Sequence, residues 1–584
     1  MRRDPAVSRY AAGRLSPSRR ADDLDRLRAE RFDVLVIGGG VTGVGAALDA
    51  AARGLSVALV EAADLASGTS SRSSKLIHGG LRYLEQLEFG LVHEALRERG
   101  LLTTRLAPHL VRPLPILVPL ETSAALFNRL YYGAGVALYD AFAGVAGGDR
   151  GMPGHRHLTR AGARRLFPSL REDRVAGAIR YYDGQVDDAR YVTTMARTAA
   201  SLGAAIVPSA RVVGLVRDAR EVTGAVVRDQ ESGAELTVAA RTVVAATGVW
   251  SNDISALVGA SRPGLRVRAS KGVHLVVPRS AITGDAGLIL RTSTSVLFVL
   301  PWGGHWIIGT TDTDWTLDRA HPAASSRDIA YLLDEVNRWL DRPLSTVDIE
   351  GVYAGLRPLL SGEDEETSKL SREHAVVEPM LGLMLVAGGK YTTYRVMAAD
   401  VIDRAARRLG PNVPRSHTER LPLLGADGFW PMWSNRLDLA RRRGVPTGVV
   451  EHLLERYGTL TLELLDLMAE HPYLARPLDG APEYLGAEIV YAASHEGALH
   501  LEDALTRRTR ISIETEHRGT ESARHAAELM SSVLGWDKAA RDREVEHYLA
   551  RVAAERESQR MPDDRTAYAV RLGAPEVRAI RQAQ

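Results

Sequence analysis

The clearest pattern in this chain of 584 residues is an alternation of apolar runs with glycine-rich or polar breaks. The stretch FDVLVIGGGVTGVGAALDAAARGLSVALVEA (32–62) passes from an apolar strand through a glycine turn and an alanine-rich helix into a second apolar strand. This order predicts a βαβ unit at the start of the fold. A later stretch, TVVAATGVW (242–250), predicts another buried strand that runs into a tight turn at Thr247 and Gly248.

The pattern changes further along the chain. Between about 265 and 310 short alternating runs follow each other, and a turn at Pro301–Gly304 joins two of them. These runs predict an antiparallel sheet that forms a second layer over the first domain. A linker is marked by Pro411, Pro414, Pro422 and Pro431. Beyond it, residues 433–559 show the helical period, which predicts a separate helical domain.

Composition narrows the function classes. The chain has no cysteine, which excludes disulfides, thiolate nucleophiles and cysteine-ligated metal centres, so any redox chemistry needs a bound cofactor. The 74 basic and 72 acidic residues leave a net charge of +2, and no nucleic-acid footprint is indicated. No run of 18 apolar residues occurs, so no transmembrane helix is expected. Only five of the basic residues are lysines, and two interpretations stay open, compositional drift or a chemical need for a compact ammonium: Lys75, Lys271, Lys369, Lys390 and Lys538.

The first 31 residues form a basic N-terminal arm. They hold nine arginines and five acids, a net charge of +4, without the apolar segment of an export signal. Two interpretations stay open: a solvated, disordered arm, which is favoured, or a polybasic contact with anionic lipid.

The glycine turn of the βαβ unit carries the strongest cofactor pattern. Gly38, Gly40 and Gly43 form G-x-G-x-x-G between a strand and a helix, and Glu61 ends the next strand. Such a turn lets the backbone approach a pyrophosphate, the helix N-terminus stabilises its charge, and the acid accepts hydrogen bonds from a ribose. Because the ATG stretch at 246–248 returns late in the chain, a tightly held FAD is favoured over an exchangeable NAD.

Seven segments resemble one family in order and approximate spacing across about 32–400. They are GGGVTGVGAALDAAARGL (38–55), GTSSRSSKLIHGGLRYLE (68–85), YYDGQVDDARY (181–191), SKGVHLVVP (270–278), IIGTTDTD (307–314), YAGLRPL (353–359) and AGGKYTTYR (387–395). Together they resemble the FAD-dependent glycerol-3-phosphate dehydrogenases, and 415–560 resembles the helical C-terminal domain of that family.

The resemblance implies an α/β + α fold. We expect an FAD-binding Rossmann-type domain over 32–411, with an interleaved antiparallel-sheet substrate (cap) domain at about 83–165 and 262–365, and a helical C-terminal domain over 412–584.

The resemblance also implies the reaction. The expected activity is oxidation of sn-glycerol 3-phosphate to dihydroxyacetone phosphate by hydride transfer to non-covalent FAD, with a quinone as the next acceptor. An oxidase that uses oxygen, oxidation of amines or amino acids by the same fold, and a non-enzymatic FAD-binding module remain alternatives. A cytoplasmic location is implied, and a peripheral position on the inner face of the cell membrane and a homodimer are left open. The aromatic stretch at 126–145 is interpreted as core packing or as interfacial contact.

Each site residue takes its role from the resemblance. His274 is expected as the base or the partner of the substrate hydroxyl. Arg357 and Arg372 flank the acidic stretch 362–367 and are expected to face the substrate, with pairing to the carboxylates of that stretch as the alternative. Arg82, Tyr83, Lys390 and Thr392 are expected around the phosphate. Lys271 has two interpretations: contact with flavin or substrate, or the cap of a strand end.

The expected cofactor residues lie in the glycine turn, the segment 68–85 and two later turns. His78 could attach flavin covalently, but a role as a donor behind non-covalent FAD is preferred. The set is Gly38, Gly39, Gly40, Thr42, Gly43, Glu61, Ser70, Ser73, Ser74, Lys75, His78, Thr247, Gly248, Gly389 and Thr393.

Metal binding is not predicted. His495 and His500 are five residues apart, which rotates them by about 140° around a helix. His155 and His157 lie in an arginine- and glycine-rich loop without nearby carboxylates.

Overall fold

The computed structural model describes residues 5–80, 88–122, 152–218, 220–258, 265–292, 295–360, 374–574 and 577–578, with side chains from residue 9 onward. Its α-helices before the C-terminal region are α1 (Pro5–Ala12), α2 (Pro17–Ala29), α3 (Val41–Ala52), α4 (Phe89–Leu101), α5 (Arg160–Leu166), α6 (Asp188–Ser201), α7 (Ser251–Leu257), α8 (Ser326–Asn337) and α9 (Tyr394–Leu409). The C-terminal region adds α10 (Phe429–Ser434), α11 (Arg436–Arg443), α12 (Thr447–Tyr457), α13 (Thr461–Glu470), α14 (Gly486–His495), α15 (Leu501–Asp503), α16 (Ile511–Glu514), α17 (Ala523–Leu534), α18 (Lys538–Ser558) and α19 (Asp564–Arg571).

One sheet has a parallel centre. Its strands are β1 (Arg31–Ile37), β2 (Val57–Val60), β7 (Ala205–Val207), β8 (Ala210–Arg217), β9 (Val222–Asp229), β10 (Glu235–Ala245), β17 (His374–Met380) and β18 (Leu383–Gly388). The order is β17-β18-β10-β1-β2-β7, in which the pairs from β18 to β7 are parallel. β9 pairs with the first half of β10 and β8 pairs with β9, both antiparallel. This is the arrangement that the βαβ pattern predicts.

Both faces of this sheet are covered. Val34 and Val36 of β1 face one way, into a core formed with α3, α6 and α9. Leu35 and Ile37 face the other way, into a core shared with β8 and β9. The near-continuous apolar run of β1 is therefore explained by burial on both faces.

A second sheet of ten strands forms the other layer. The remaining strands are β3 (Leu76–Ile77), β4 (Val111–Glu121), β5 (Arg156–Thr159), β6 (Val175–Val186), β11 (Val267–Pro278), β12 (Gly287–Arg291), β13 (Val296–Trp302), β14 (His305–Gly309), β15 (Thr313–Trp315) and β16 (Gly351–Leu360). Their order is β15-β11-β14-β13-β12-β4-β6-β3, with β16 on β11 and β5 on β6. β13 and β14 are antiparallel on either side of the predicted turn at Pro301–Gly304. This sheet includes β6, so its first part extends to Val186, beyond the expected limit of about 165.

Alternation along β11 decides which side chains reach the site. Val273, Leu275 and Val277 pack into the core under α8. His274, between them, belongs to the opposite face. The same alternation puts Lys271 on the face of Val273, two positions away.

The C-terminal region has its own core, formed largely by α12, α13, α14, α17 and α18. It also holds a short two-stranded sheet of β19 (Pro477–Leu478) and β20 (Ala481–Leu485). Among the described residues no helix is long and apolar enough to cross a membrane.

The N-terminal segment differs from the expected disordered arm. α2 begins with Ser16, whose Oγ accepts a hydrogen bond from the Arg19 backbone N–H. Leu24 and Leu27 are buried, since their spacing of three puts them on one face of the helix. The Arg20 guanidinium lies 2.6 Å from the Asp229 carboxylate of the parallel-centred sheet. The prediction of a solvated, disordered arm is therefore wrong, and contact with anionic lipid stays a prediction.

Candidate functional site

The glycine turn joins β1 to α3 as predicted. Gly38 has a φ of +113°, which favours glycine, and Gly40 is the residue before the helix begins. A Cβ atom at Gly43 would lie 2.0 Å from the Gly38 carbonyl oxygen, so only glycine allows this approach of helix to strand. The Ser70 hydroxyl accepts a hydrogen bond of 3.0 Å from the Val41 N–H at the helix N-terminus.

Glu61 lies beside this turn at the end of β2. Its carboxylate accepts hydrogen bonds from the Gly39 N–H at 2.6 Å and from the Ala63 N–H at 2.8 Å. Burial raises the pKa of Glu61, and these two backbone donors oppose the rise. The acid is thus fixed next to the turn, where a ribose would meet it.

A cavity of about 740 Å³ runs from this turn to His274, within the range of about 300–1,000 Å³ usual for ligand sites. It brings together residues that are far apart in the sequence. The predicted residues that line it are Gly38, Gly40, Thr42, Glu61, Ser70, Ser73, Ser74, His78, Thr247, Gly248, His274, Arg357, Gly389 and Lys390. Gly39 and Gly43 do not line it, but they shape the turn beside it.

His274 is held firmly at one end of this cavity. Its side chain is buried, and its ring stacks on that of Tyr353 with 4.6 Å between centroids and 10° between planes. Nε2 lies 2.8 Å from the Ser74 hydroxyl, whereas Nδ1 is buried without a hydrogen-bond partner among the described residues. Burial, Arg357 and Lys75 lower the pKa of His274 well below its usual value. The imidazole is therefore neutral at neutral pH and able to accept a proton.

Arg357 lies on β16, where it is paired with Ser270 of β11, four positions before His274. Its guanidinium donates to the Thr310 hydroxyl at 3.0 Å and to the Thr311 carbonyl at 3.2 Å. A Cβ at Gly272 would lie 2.6 Å from Nη2, so the glycine leaves room for the arginine against the strand. This packing directs a fixed positive charge to the cavity end that holds His274.

Lys390 follows two glycines in the left-handed conformation, Gly388 with φ +78° and Gly389 with φ +70°. Consecutive residues of this kind make a tight turn that only glycine adopts readily. The turn brings Lys390 to the wall of the same cavity that His274 lines.

Thr392 has a different role from the one expected. Its hydroxyl accepts a hydrogen bond from the His78 N–H at 3.1 Å and donates to the His78 carbonyl at 3.2 Å. It does not line the cavity. Thr392 thus connects two cavity-lining turns instead of contacting substrate, and that prediction is wrong in its detail. Thr393, at the start of α9, does not line the cavity either.

Two predicted lysines are structural. Lys271 is fully buried, its Nζ lies 2.7 Å from the Asp328 carboxylate and it also pairs with Asp564. The Lys75 Nζ lies 2.6 Å from the buried Asp188 carboxylate, and burial and Arg510 lower the pKa of Lys75 to about 8. Neither side chain lines the cavity, so the predicted contacts of Lys271 with substrate and of Lys75 with cofactor are wrong.

The pairing of Ser73 explains why Lys75 turns inward. The Ser73 hydroxyl donates to Asp188 at 2.7 Å, and its oxygen accepts from the Lys75 N–H at 3.1 Å. Asp188 therefore anchors the segment 73–75 and leaves Ser74 directed to His274.

Several lining residues were not predicted. Arg72 lies midway between Ser70 and Ser74, and burial and the nearby Arg507 lower its pKa to about 10. The C-terminal region contributes Glu502, Arg507, Val577 and Arg578. No local motif marks these four residues, because only the packing of the helical domain against the glycine turn brings them to the cavity.

Some predictions fall outside the described residues: those for Arg82, Tyr83, Arg372 and the stretch 126–145. Within the described part of the chain, no group of three histidine, aspartate or glutamate side chains is placed to hold a metal ion. His500 instead forms hydrogen bonds with Glu231 and Glu544.

The donors and glycine contacts of this cavity fit a dinucleotide. The turn admits no Cβ at Gly38 or Gly43, the helix N-terminus and Glu61 adjoin it, and the cavity continues to a neutral histidine. The fold and site define a flavin-dependent oxidoreductase. A family model described as FAD dependent oxidoreductase matches residues 33–395, and one described as the C-terminal domain of alpha-glycerophosphate oxidase matches 416–541.

Similar proteins show to which family of flavin-dependent oxidoreductases the chain belongs. The chain is 56% identical to "Glycerol-3-phosphate dehydrogenase 2" of Mycobacterium tuberculosis over 98% of this chain and 96% of that protein. It is 55% identical to "Glycerol-3-phosphate dehydrogenase" of Mycobacterium leprae over 97% and 96%. The structure of glycerol-3-phosphate dehydrogenase from Bacillus halodurans complexed with FAD has 27% identity and a TM-score of 0.75, covering 92% of this chain and 98% of that one. This chain therefore belongs to the FAD-dependent glycerol-3-phosphate dehydrogenase family.

Proposed function

We propose that this protein oxidises sn-glycerol 3-phosphate to dihydroxyacetone phosphate and passes the electrons to a quinone. The observation that carries the proposal is His274, a neutral buried imidazole held by Ser74 at one end of the dinucleotide cavity. The names of the mycobacterial relatives support the substrate.

Oxidation of the C2 alcohol removes a hydride from carbon and a proton from oxygen. Bound FAD supplies the two-electron acceptor for the hydride. His274 accepts the hydroxyl proton at Nε2, the nitrogen that reaches the cavity-lining Ser74, because Nδ1 is enclosed in protein. Arg357 stabilises the negative charge that develops on the substrate oxygen.

The phosphate needs cations at the same end of the cavity. Lys390 lies on a glycine turn that lines the cavity, which lets the ammonium approach an anion closely. Arg82, Tyr83 and Arg372 lie outside the described residues, and their contacts with the substrate stay predictions.

Anaerobic reduction of the flavin tests the donor reaction. Addition of sn-glycerol 3-phosphate to the oxygen-free holoenzyme is expected to bleach the absorbance of the oxidised flavin within one turnover. Glycerol, which lacks the phosphate, is the matched control and should leave the spectrum oxidised. A spectrum that stays oxidised with both compounds would contradict the proposed reaction and support a non-enzymatic role.

A second experiment distinguishes a quinone from oxygen as the electron acceptor. Oxygen is the alternative electron acceptor, because residues 416–541 match a domain named for an oxidase. With a water-soluble quinone under air, we expect quinone reduction and little peroxide. Peroxide equal in amount to the substrate consumed, and undiminished by quinone, would identify an oxidase.

A quinone acceptor requires access to a membrane, and we propose a cytoplasmic protein bound peripherally to it. Sedimentation with vesicles tests this directly. We expect more protein to sediment with anionic vesicles than with neutral ones, and equal low sedimentation with both would refute peripheral binding.

A further inference from the structure

One wall of the dinucleotide cavity comes from the C-terminal region. Glu502 and Arg507 lie in and just after α15, and Val577 and Arg578 lie beyond α19. All four follow the part of the chain that matches the FAD oxidoreductase family, which ends at residue 395. The cofactor cavity is therefore enclosed by two domains.

The wall is attached to the end of β2 that carries Glu61. Asp64, three residues after Glu61, is completely buried. It receives Arg507 Nε at 2.5 Å and Arg508 Nη2 at 2.6 Å. Two guanidinium groups from the helical domain thus hold the segment on which the ribose-binding acid lies.

Arg578 makes a second attachment beside the first. Its Nε donates to the Ser209 hydroxyl at 3.0 Å, and Nη2 donates to Asp503 at 3.0 Å. The Ser209 N–H in turn donates to the Ala63 carbonyl, two residues after Glu61. The positive charge of Arg578 also lowers the pKa of Glu61, against the larger effect of burial. Arg578 is therefore packed beside the same acid.

The arginines that make these attachments are buried. The exposed fractions of Arg507, Arg508 and Arg578 are 3%, 0% and 5%. Opening the wall would separate buried charges from their partners, which is costly without water to replace them.

We propose that the C-terminal helical domain retains FAD by closing the adenosine half of its site. Arg578, which we call the latch, holds the domain in place through its hydrogen bonds to Ser209 and Asp503. The position follows from Glu61, which meets the ribose in this fold and lies beside Asp64 and Ser209. Release of FAD then requires the latch and the Asp64 pairs to open. The domain is part of the cofactor site and not only an appendage of the fold.

Release of FAD from the holoenzyme tests the proposal. Arg578→Met removes the guanidinium and keeps an apolar stem. After dilution, the rise of free-flavin fluorescence is expected to be at least about tenfold faster in this variant, equivalent to about 1.4 kcal/mol. Lys538→Met is the matched control, because Lys538 is exposed in the same domain and pairs with its helix neighbour Asp542. An Arg578→Met variant that releases FAD at the wild-type rate would overturn the proposal.

A second measurement separates a latch from a general loss of stability. Thermal unfolding is compared for apoprotein and holoenzyme, in Arg578→Met and in a chain that lacks 575–584. A latch predicts a larger loss of stability in the holoenzyme than in the apoprotein, in which Asp503 keeps its pair with Arg507. Equal losses in apoprotein and holoenzyme would assign Arg578 to folding alone and refute the latch.

Discussion

His274 and Ser74 are joined by a hydrogen bond of 2.8 Å between Nε2 and Oγ, although 200 positions separate them in the chain. The stacked ring of Tyr353 limits rotation of the imidazole, and the Tyr353 hydroxyl donates to the Ser73 carbonyl at 3.0 Å. The base and the serine segment are therefore positioned as one unit.

Substitution of this pair is the first prediction. His274→Asn removes the base and should lower kcat by about 10²–10⁴-fold. Ser74→Ala keeps the base but removes the hydrogen bond that orients it. This variant should lower kcat by about tenfold with little change in the KM for glycerol 3-phosphate. Steady-state rates with an artificial acceptor measure both. Retention of more than half the wild-type kcat in His274→Asn would remove the histidine from the mechanism.

The second prediction concerns the pH profile. Burial, Arg357 and Lys75 keep the pKa of His274 well below 6.5, so the free enzyme holds the base deprotonated through neutral pH. The acid limb of kcat/KM should therefore lie below pH 6.5. Removing a nearby positive charge with Arg357→Met should move that limb to higher pH, even though the maximal rate falls. A limb that stays in place would mean that another group titrates.

The third prediction compares two lysines. Lys390 lines the cavity on a glycine turn, whereas Lys538 is exposed and pairs with Asp542. Lys390→Arg keeps the charge but replaces a compact ammonium by a planar fork, so it should raise the KM for glycerol 3-phosphate by about tenfold or more. Lys538→Arg should have no effect. Equal tolerance at both positions would show that the scarcity of lysine in this chain has no chemical meaning.

The sequence predicted the parts of the site that depend on local geometry. The glycine turn and Glu61 follow from spacing within one βαβ unit, and Gly389 and Lys390 from a short motif. Lys271 was misjudged because its position on β11 matters more than its motif. It lies three positions before His274, an odd number, so alternation puts it on the opposite face of the strand, where Asp328 neutralises it.

The residues that the C-terminal region contributes to the cavity show a second limit of prediction from the sequence. Arg507 and Arg578 are two of many arginines in helical segments, and nothing near them in the chain distinguishes them from surface residues. The role of Arg507 depends on Asp64, which is 443 positions away, and that of Arg578 on Ser209, which is 369 positions away. A packing relationship of this range becomes visible only when both domains are seen together.

The fourth prediction follows from the corrected position of Lys271. Lys271→Met would leave the nearly buried Asp328 carboxylate without its cation, which should destabilise the protein by about 3–5 kcal/mol. The KM for glycerol 3-phosphate should not change, because the ammonium does not reach the cavity. Denaturant unfolding and steady-state kinetics measure the two effects, with Lys538→Met as the control. A raised KM with unchanged stability would restore Lys271 to the substrate site.

The last prediction is a loss of stability at alkaline pH through His500. Burial and Arg578 lower its pKa, but Glu544 and Glu231, at 2.8 and 2.9 Å, outweigh them and raise it to about 9 from 6.5. The folded protein therefore binds a proton that the unfolded chain releases between these values, so the contribution is complete below pH 6.5 and lost as pH rises through 9. It should be on the order of 3 kcal/mol at most. The stability difference between wild type and His500→Gln should shrink from pH 6.5 to pH 9, since the charged imidazolium is what joins Glu231 of the first domain to Glu544 of the helical domain. A difference that is constant with pH would mean that His500 acts through packing and not through its charge.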